Sequence, residues 1–479
     1  MKKETFTTVL RYLLLFAGVT SLLIPIIGSF RIGIDVDSAI ILTEMERIYE
    51  GYVPYKTLHL NYPPLWFYMM VALKWLFHVP YGCYPFYLVV HYLFSIGCAY
   101  FIYAISCLFG ASKKVALFTT WLFLMSIHWL WGNCVLFEMP TLFYGLCASF
   151  LALKMKDKPI WHFLYIGTLA CASFLCKQFG AGYSLLVIYL IVAFCDQNRW
   201  KKAGMFCIGY VIPLMICWFI WGKNIFTSIL LNGYGTTTME LAGWDCSLIG
   251  KLSCIAHNLL YFCNRIAPIV YVALLMLPLV IRQGKWREML FCVFGIGGFA
   301  LQFYFVQGGL HYFQLLLPFG VLLVPILSTL SMNKWYKIVL YIGIGLMVSL
   351  SVYSTYRNRV YKRYIKNRQQ NEQRLIAKRI NELVPQNATV WVAHGGLQYL
   401  NYLCNLHPTN MADVGYACGP LEITKEKAWK QAKSCDYVIH FSRIYEYEYY
   451  FDTQMDNYLK AFPVDSVDAG GNILLRKMK

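Results

Sequence analysis

Apolar residues in this chain recur in runs of about 17 to 25, the length that carries a helix across the hydrocarbon core of a bilayer. No other feature narrows the possible folds so far. Backbone groups inside lipid must find their partners within the segment, so such runs permit helices and exclude open sheets, and the alternation of a β-barrel is absent. Of 479 residues, 58% are hydrophobic and 14% are charged. The net charge of +18 would suit nucleic acid, but Lys and Arg stand in short clusters between the apolar runs, where the positive-inside bias puts them. The charge is therefore read as topology and contact with membrane lipid, and no nucleic-acid partner is expected. The 17 cysteines are scattered without CxxC or zinc spacing and read as small buried hydrophobes; pairing among Cys246, Cys254 and Cys263 stays open.

About eleven crossings are expected, the first over Val9–Ser29, whose basic lead and missing cleavage site read as a retained anchor. The rest begin with Tyr84–Phe109, Val115–Trp131 and Met139–Leu153 and end with Ile338–Tyr353. The run Pro63–Val79 decides the topology. Lying in the interface as a juxtamembrane helix with Lys74 snorkelling, it leaves every later basic cluster on one side, as the charge bias demands. The loops holding Asp37, Glu138, Lys177 and Gln178, Arg265, and His311 then share the other face. The fold class is thus an all-α polytopic membrane domain over residues 1–355, with a first outer loop over 30–83. From Tyr356 the composition changes. A basic run leads to an amphipathic helix over Asn371–Leu383, then strand signals at Thr389–Ala393, Tyr437–Phe441 and Ile473–Leu475, with a helix over Lys425–Lys433 between them. Residues 356–479 read as a small soluble α/β domain, placed on the outer side. The sequon at Asn387 is read as chance.

The first outer loop, Asp35–Tyr68, is not built like a tether. It carries two acids, a short amphipathic helix over Ser38–Glu50, a turn from Gly51 to Pro54, and the Pro63–Pro64 pair. Asp37 stands where a helix N-cap belongs, and Glu44, seven residues on, shares its helix face and reads as a solvated charge. Glu138 opens an apolar helix, where an acid favours the N-terminus. Lys177 and Gln178 interrupt apolar sequence, which is expensive in a membrane unless they are partnered. A lone His311 near an interface reads as structural. The aromatic content, 17%, is mostly explained by interfacial belts, with Tyr55, Tyr62 and Trp66 as candidates for stacking on sugar or lining a lipid groove.

Taken in order, these pieces resemble the GT-C superfamily of integral-membrane glycosyltransferases, in particular bacterial relatives of protein O-mannosyltransferases and of the lipid A aminoarabinose transferase. The matching pieces are Asp37-Ser38-Ala39, the Gly51 to Tyr55 turn, Pro63-Pro64-Leu65, Glu138-Met139-Pro140, Leu175 with Lys177 and Gln178, and His311-Tyr312-Phe313 with Pro318. The likeness covers about Thr8 to Leu330. The sequence departs from the pattern at Ser38, where the mannosyltransferases have a second acid, at Thr57, an acid in the family, and at Tyr62, where some relatives carry Lys.

The resemblance implies an inverting transfer of sugar from a polyprenyl-phosphate donor to an extracytoplasmic acceptor (lipid, glycan or protein), with the site facing the periplasm of a bacterial inner membrane. It nominates Asp37, with Asp35 as the alternative, as the base that takes the acceptor proton. Glu138 and Glu44 would act on the acceptor side. Lys177, Gln178, Arg265, His311 and Tyr312 would meet the donor phosphate or sugar, and Tyr55, Pro63 and Pro64 would support the loop. A divalent cation is the one cofactor it raises, its ligands undetermined. The absence of a DxD-like pair argues against a nucleotide-sugar donor. Two rivals come from other classes. A secondary transporter or flippase would carry midplane charges and a repeat, and a surface-polysaccharide polymerase or ligase would carry large outer loops with paired arginines.

Overall fold

The computed structural model describes residues 18–20, 22–31, 33–58, 60–132, 134–232, 247–305, 309–355, 369–409, 425–442, 453–468 and 470–479. Cys246 lies outside them. Among the described residues, thirteen longer helices organise the fold. In order they are α1 (Val36–Tyr49), α2 (Leu65–Phe77), α3 (Tyr84–Leu108), α4 (Lys113–Trp129), α5 (Glu138–Lys154), α6 (His162–Cys176), α7 (Ala181–Phe194), α8 (Arg199–Trp221), α9 (Leu248–Tyr261), α10 (Trp286–Ala300), α11 (Leu317–Ser328), α12 (Lys334–Thr355) and α13 (Gln369–Leu383). The molecule is a multi-pass membrane protein.

By length and composition, four single helices among the described residues can cross a membrane: Tyr84–Leu108, Arg199–Trp221, Leu310–Ser328 and Lys334–Ser354. A further pair, Leu248–Ile266 and Ile269–Leu275, is bent by 99°. Several other apolar runs form shorter helices. The run through α6 and α7 shows why: Lys177 leaves the helix with φ −151° and ψ 136°, and the chain restarts as a 3₁₀ turn at Gln178.

The segment over 33–83 folds around two helices. α1 is capped by Asp35, whose carboxylate accepts the Ser38 amide at 3.1 Å. It ends at Gly51, where φ is +100° and a side chain would be strained. Pro64 precedes α2, which at 13 residues is roughly 20 Å long, too short to span a bilayer alone. Lys74 of α2 does not snorkel. It is buried, with its ammonium 3.0 Å from Glu46 of α1 and donating to the Val79 carbonyl at 2.9 Å. A neighbouring carboxylate on α1 supplies its partner in place of the membrane interface.

The C-terminal part forms a four-stranded sheet in the order β1 (Val390–Val392), β2 (Tyr437–Phe441), β4 (Ile473–Lys477), β3 (Val464–Ser466). β1 runs parallel to β2, with Trp391 beside Val438, and β4 runs antiparallel to β2, with Leu475 beside Ile439. β3 was not legible in the sequence: its burial is low throughout, so no apolar alternation marks it. Ile41, Leu42 and Met45 of α1 and Phe67 of α2 share one core with Ile380 of α13, Val390, Ile439 and Leu475. The sheet layer is thus packed onto α1, the helix carrying Asp37, and onto α2.

Candidate active site

Which of the two acids at the head of α1 faces the interior is settled by capping. Asp35 accepts both the Ser38 amide and the Ser38 hydroxyl, the latter at 2.6 Å. The N-cap is therefore Asp35, not Asp37 as the sequence suggested. Asp37, in the first turn, has no side-chain hydrogen bond among the described residues and lines a cavity of about 120 Å³. Ser38 also accepts the Val135 amide at 2.9 Å, which ties the head of α1 to the turn that delivers Glu138.

The same cavity is lined by Tyr62, Glu138, Lys177, His311 and Tyr312. Glu138 and Lys177, 1% and 3% exposed, form a buried ion pair. The Lys177 ammonium also lies 4.6 Å from the centre of the Tyr312 ring. His311 Nε2 is 3.9 Å from the Glu138 carboxylate, and its ring packs at 4.1 Å from Tyr312 and 5.6 Å from Trp131. Tyr62 stacks on Phe137 at 4.3 Å, and its carbonyl accepts the Tyr55 hydroxyl at 2.7 Å. Tyr55 itself sits at φ 62°, a conformation costly for an aromatic residue and held here by that bond and by edge contact with Trp221 at 6.0 Å.

The electrostatics follow from crowding. Burial first, and then the carboxylates of Asp35 and Glu138, push the Asp37 carboxyl up from 3.8 to about 7, with Lys177 offsetting only part of the rise. At neutral pH the group is poised between acid and base, which is what a proton acceptor for an alcohol requires. Lys177 is the one ammonium lining the cavity among the described residues.

Not every nominated residue reaches this place. Glu44 is 1% exposed, so it is not the solvated charge its spacing suggested, and it does not line the cavity. Gln178 is buried behind Lys177, its amide oxygen unpartnered. Arg265 is exposed, in a π-helical turn over Phe262–Ile266, and stays away from the cavity. Pro63 and Pro64 act through the backbone, setting up α2. Asp35 as cap, Ser38 as bridge and Phe137 as platform for Tyr62 emerge only in the structure; the Asp-x-x-Ser spacing of a helix cap is the local signal for the first of them. No group of three or more His, Cys, Asp or Glu able to hold a metal ion occurs among the described residues. In the cavity, Lys177 stands as the counter-charge to Glu138.

No family model and no curated protein matches the chain. Solved structures do. ArnT from Cupriavidus metallidurans in the apo state superposes with a TM-score of 0.62 at 11% identity, covering 98% of this chain and 98% of that one. The fold is that of ArnT. The structure of ArnT bound to undecaprenyl phosphate gives a TM-score of 0.59 at 12% identity, again with 98% of each chain covered. The ArnT likeness extends beyond Leu330, where the sequence resemblance stops, and takes in the C-terminal sheet layer. The chain therefore shares the architecture of these two solved structures over nearly its whole length.

Proposed function

We propose that this protein is a membrane glycosyltransferase that moves a sugar from a polyprenyl-phosphate carrier to an acceptor hydroxyl, with inversion. The single observation that carries the reading is the convergence of Asp37, Glu138, Lys177 and His311 on one cavity, within a fold also seen in ArnT bound to undecaprenyl phosphate. In this reading the acceptor oxygen attacks the anomeric carbon as the bond from that carbon to the phosphate oxygen breaks. The electron pair leaves with the polyprenyl phosphate, and the hydroxyl proton goes to the Asp37 carboxylate. Lys177 takes up charge on the departing phosphate, with His311 beside it as a hydrogen-bonding group, and Glu138 holds the Lys177 ammonium at the cavity wall. Tyr62 and Tyr312 offer ring faces to the sugar. Residues 1–355 form the transmembrane catalytic part and 356–479 an extracytoplasmic layer over it, with the cavity facing the periplasm of a bacterial inner membrane.

The experiment supplies the purified, reconstituted protein with radiolabelled sugars on polyprenyl phosphate and an extract of envelope acceptors. Native protein transfers label from at least one donor, and Asp37→Asn lowers the rate by about 10² or more. Transfer that survives the substitution unchanged removes Asp37 from the chemistry. Native protein inert with every donor, yet moving carrier lipid across vesicles, replaces the reading with a flippase.

A further inference from the structure

Ten residues beyond Asp37, roughly 15 Å along the axis of α1, Arg47 fastens the helix to the C-terminal layer. Its buried guanidinium donates to Glu50 at 2.7 Å, to the Asn405 side-chain oxygen at 2.6 Å and to the Leu406 carbonyl at 2.5 Å, and lies 2.9 Å from His407 Nε2. Beside Asn405, the end of α13 and the loop that follows it, Tyr81 and residues 403–406 enclose a second cavity, of about 580 Å³. This is within the usual range for a small-molecule site and several times the volume of the cavity at Asp37.

The chemistry of its walls selects the ligand. Four carboxamides line it, Asn381, Gln386, Asn387 and Asn405, set among aliphatic and small side chains, with the ring of Tyr81 at one side, and among the described residues no Asp, Glu, Lys, Arg or His does. An anionic ligand calls for Arg or Lys, a metal ion for carboxylates or imidazoles, and a lipid chain for apolar walls. Carboxamides present donors and acceptors side by side, the pairing that vicinal hydroxyl groups need, and an aromatic face packs on the C–H side of a sugar ring. Two of these groups are already oriented. Asn405 sits at φ 52°, a left-handed conformation that asparagine tolerates, with its oxygen held by Arg47. The Tyr81 hydroxyl donates to the Asn401 carbonyl at 3.1 Å, with the Tyr402 ring 5.9 Å away. Groups fixed before binding lose less freedom on binding.

We infer that this cavity is a binding site for neutral glycan. Resting on the transferase reading, it holds the part of the acceptor remote from the reacting hydroxyl, so the acceptor is a neutral saccharide chain or carries one. Through Arg47 and α1 the two cavities share one rigid element.

The test uses the full-length protein in nanodiscs on an array of neutral and acidic glycans, followed by titration calorimetry with the best retained glycan. Neutral glycans are retained. The Asn381→Ala/Asn387→Ala double variant, which alters two exposed side chains, weakens binding by about tenfold or more, and Asp37→Asn leaves it unchanged. Retention of acidic glycans only, retention of none, or neutral binding indifferent to the double variant overturns the inference. Binding is read without turnover. Glycan bound by a protein that transfers no sugar therefore sinks the transferase reading alone, and transfer without glycan binding sinks the second site alone.

Discussion

The carboxylate of Glu138, at the first residue of α5, and the ammonium of Lys177, at the break after α6, are paired out of contact with solvent. A buried pair is weak evidence for stability as a whole, but removing one partner strands the other charge, at about 3–5 kcal/mol. Glu138→Gln and Lys177→Met are each expected to lower the thermal midpoint in detergent, and the double variant to lose less than the sum. Lys177→Met also lowers transfer by about 10² to 10³, the loss of a group aimed at developing charge. Additive stability effects in a double-mutant cycle would mean that the two charges do not sense each other.

Asp35 and Asp37, two residues apart, divide two tasks. Asp35 accepts the Ser38 amide on one carboxylate oxygen and the Ser38 hydroxyl on the other; asparagine keeps the amide bond that caps the helix and meets the hydroxyl with its NH2 as donor. Asp35→Asn is therefore expected to keep near-native transfer and stability, whereas Asp35→Ala loses about 1 kcal/mol of helix capping. Asp37→Asn, by contrast, folds and fails to turn over. Rates for Asp35→Asn and Asp37→Asn measured side by side decide the assignment; equal losses would return Asp35 to the chemistry.

The raised Asp37 carboxyl has two consequences of opposite sign. Its value moves from 3.8 to about 7 on folding, so between those limits the folded chain holds a proton that the unfolded chain has released. Stability contributed by this group therefore falls as pH rises from about 4 to about 7. Activity moves the other way, because only the carboxylate accepts a proton, and kcat/KM is expected to rise to a plateau with its midpoint near pH 7. Asp37→Asn removes the penalty, giving a higher melting temperature than native at pH 8 and little difference at pH 4. A pH–rate profile flat from about pH 5.5 to about pH 8.5 would count against Asp37 as the base.

How much of this was written in the sequence depended on the range of the interaction. Local signals were legible: the turn at Gly51, the Pro64 start of α2 and the strand over Tyr437–Phe441 appear where their residue patterns put them. The gathering of Asp37, Glu138, Lys177, His311 and Tyr312 at one cavity was reached through motif order, since no local pattern encodes which helix ends meet. What escaped was pairwise and distant. Lys74 finds Glu46 across 28 residues, and Arg47 finds Asn405 across 358. A charge whose partner is this far away in the chain reads as interfacial when taken alone, as Lys74 does, although its side chain is buried.

The contact between α6 and α8 rests on two glycines that let the backbones meet. A Cβ on Gly167 would stand 2.1 Å from the Phe206 carbonyl oxygen, and one on Gly209 would stand 2.0 Å from that of Leu164. Small residues at such crossings replace the hydrophobic drive that helices lack inside lipid. Both obstructing atoms are backbone, so alanine at either position must push the helices apart, at about 1–3 kcal/mol. Because α6 ends at Lys177, this movement also carries the ammonium away from Glu138. Gly167→Ala is therefore expected to lower both melting temperature and transfer. Gly204, also on α8 but with open space around its Cβ position, supplies the control. Gly204→Ala is expected to leave transfer unchanged and to stabilise by up to about 1 kcal/mol, through helix propensity. Equal responses of the two variants in a thermal-shift assay would show that helix propensity, and not the close approach of α6 and α8, governs this contact.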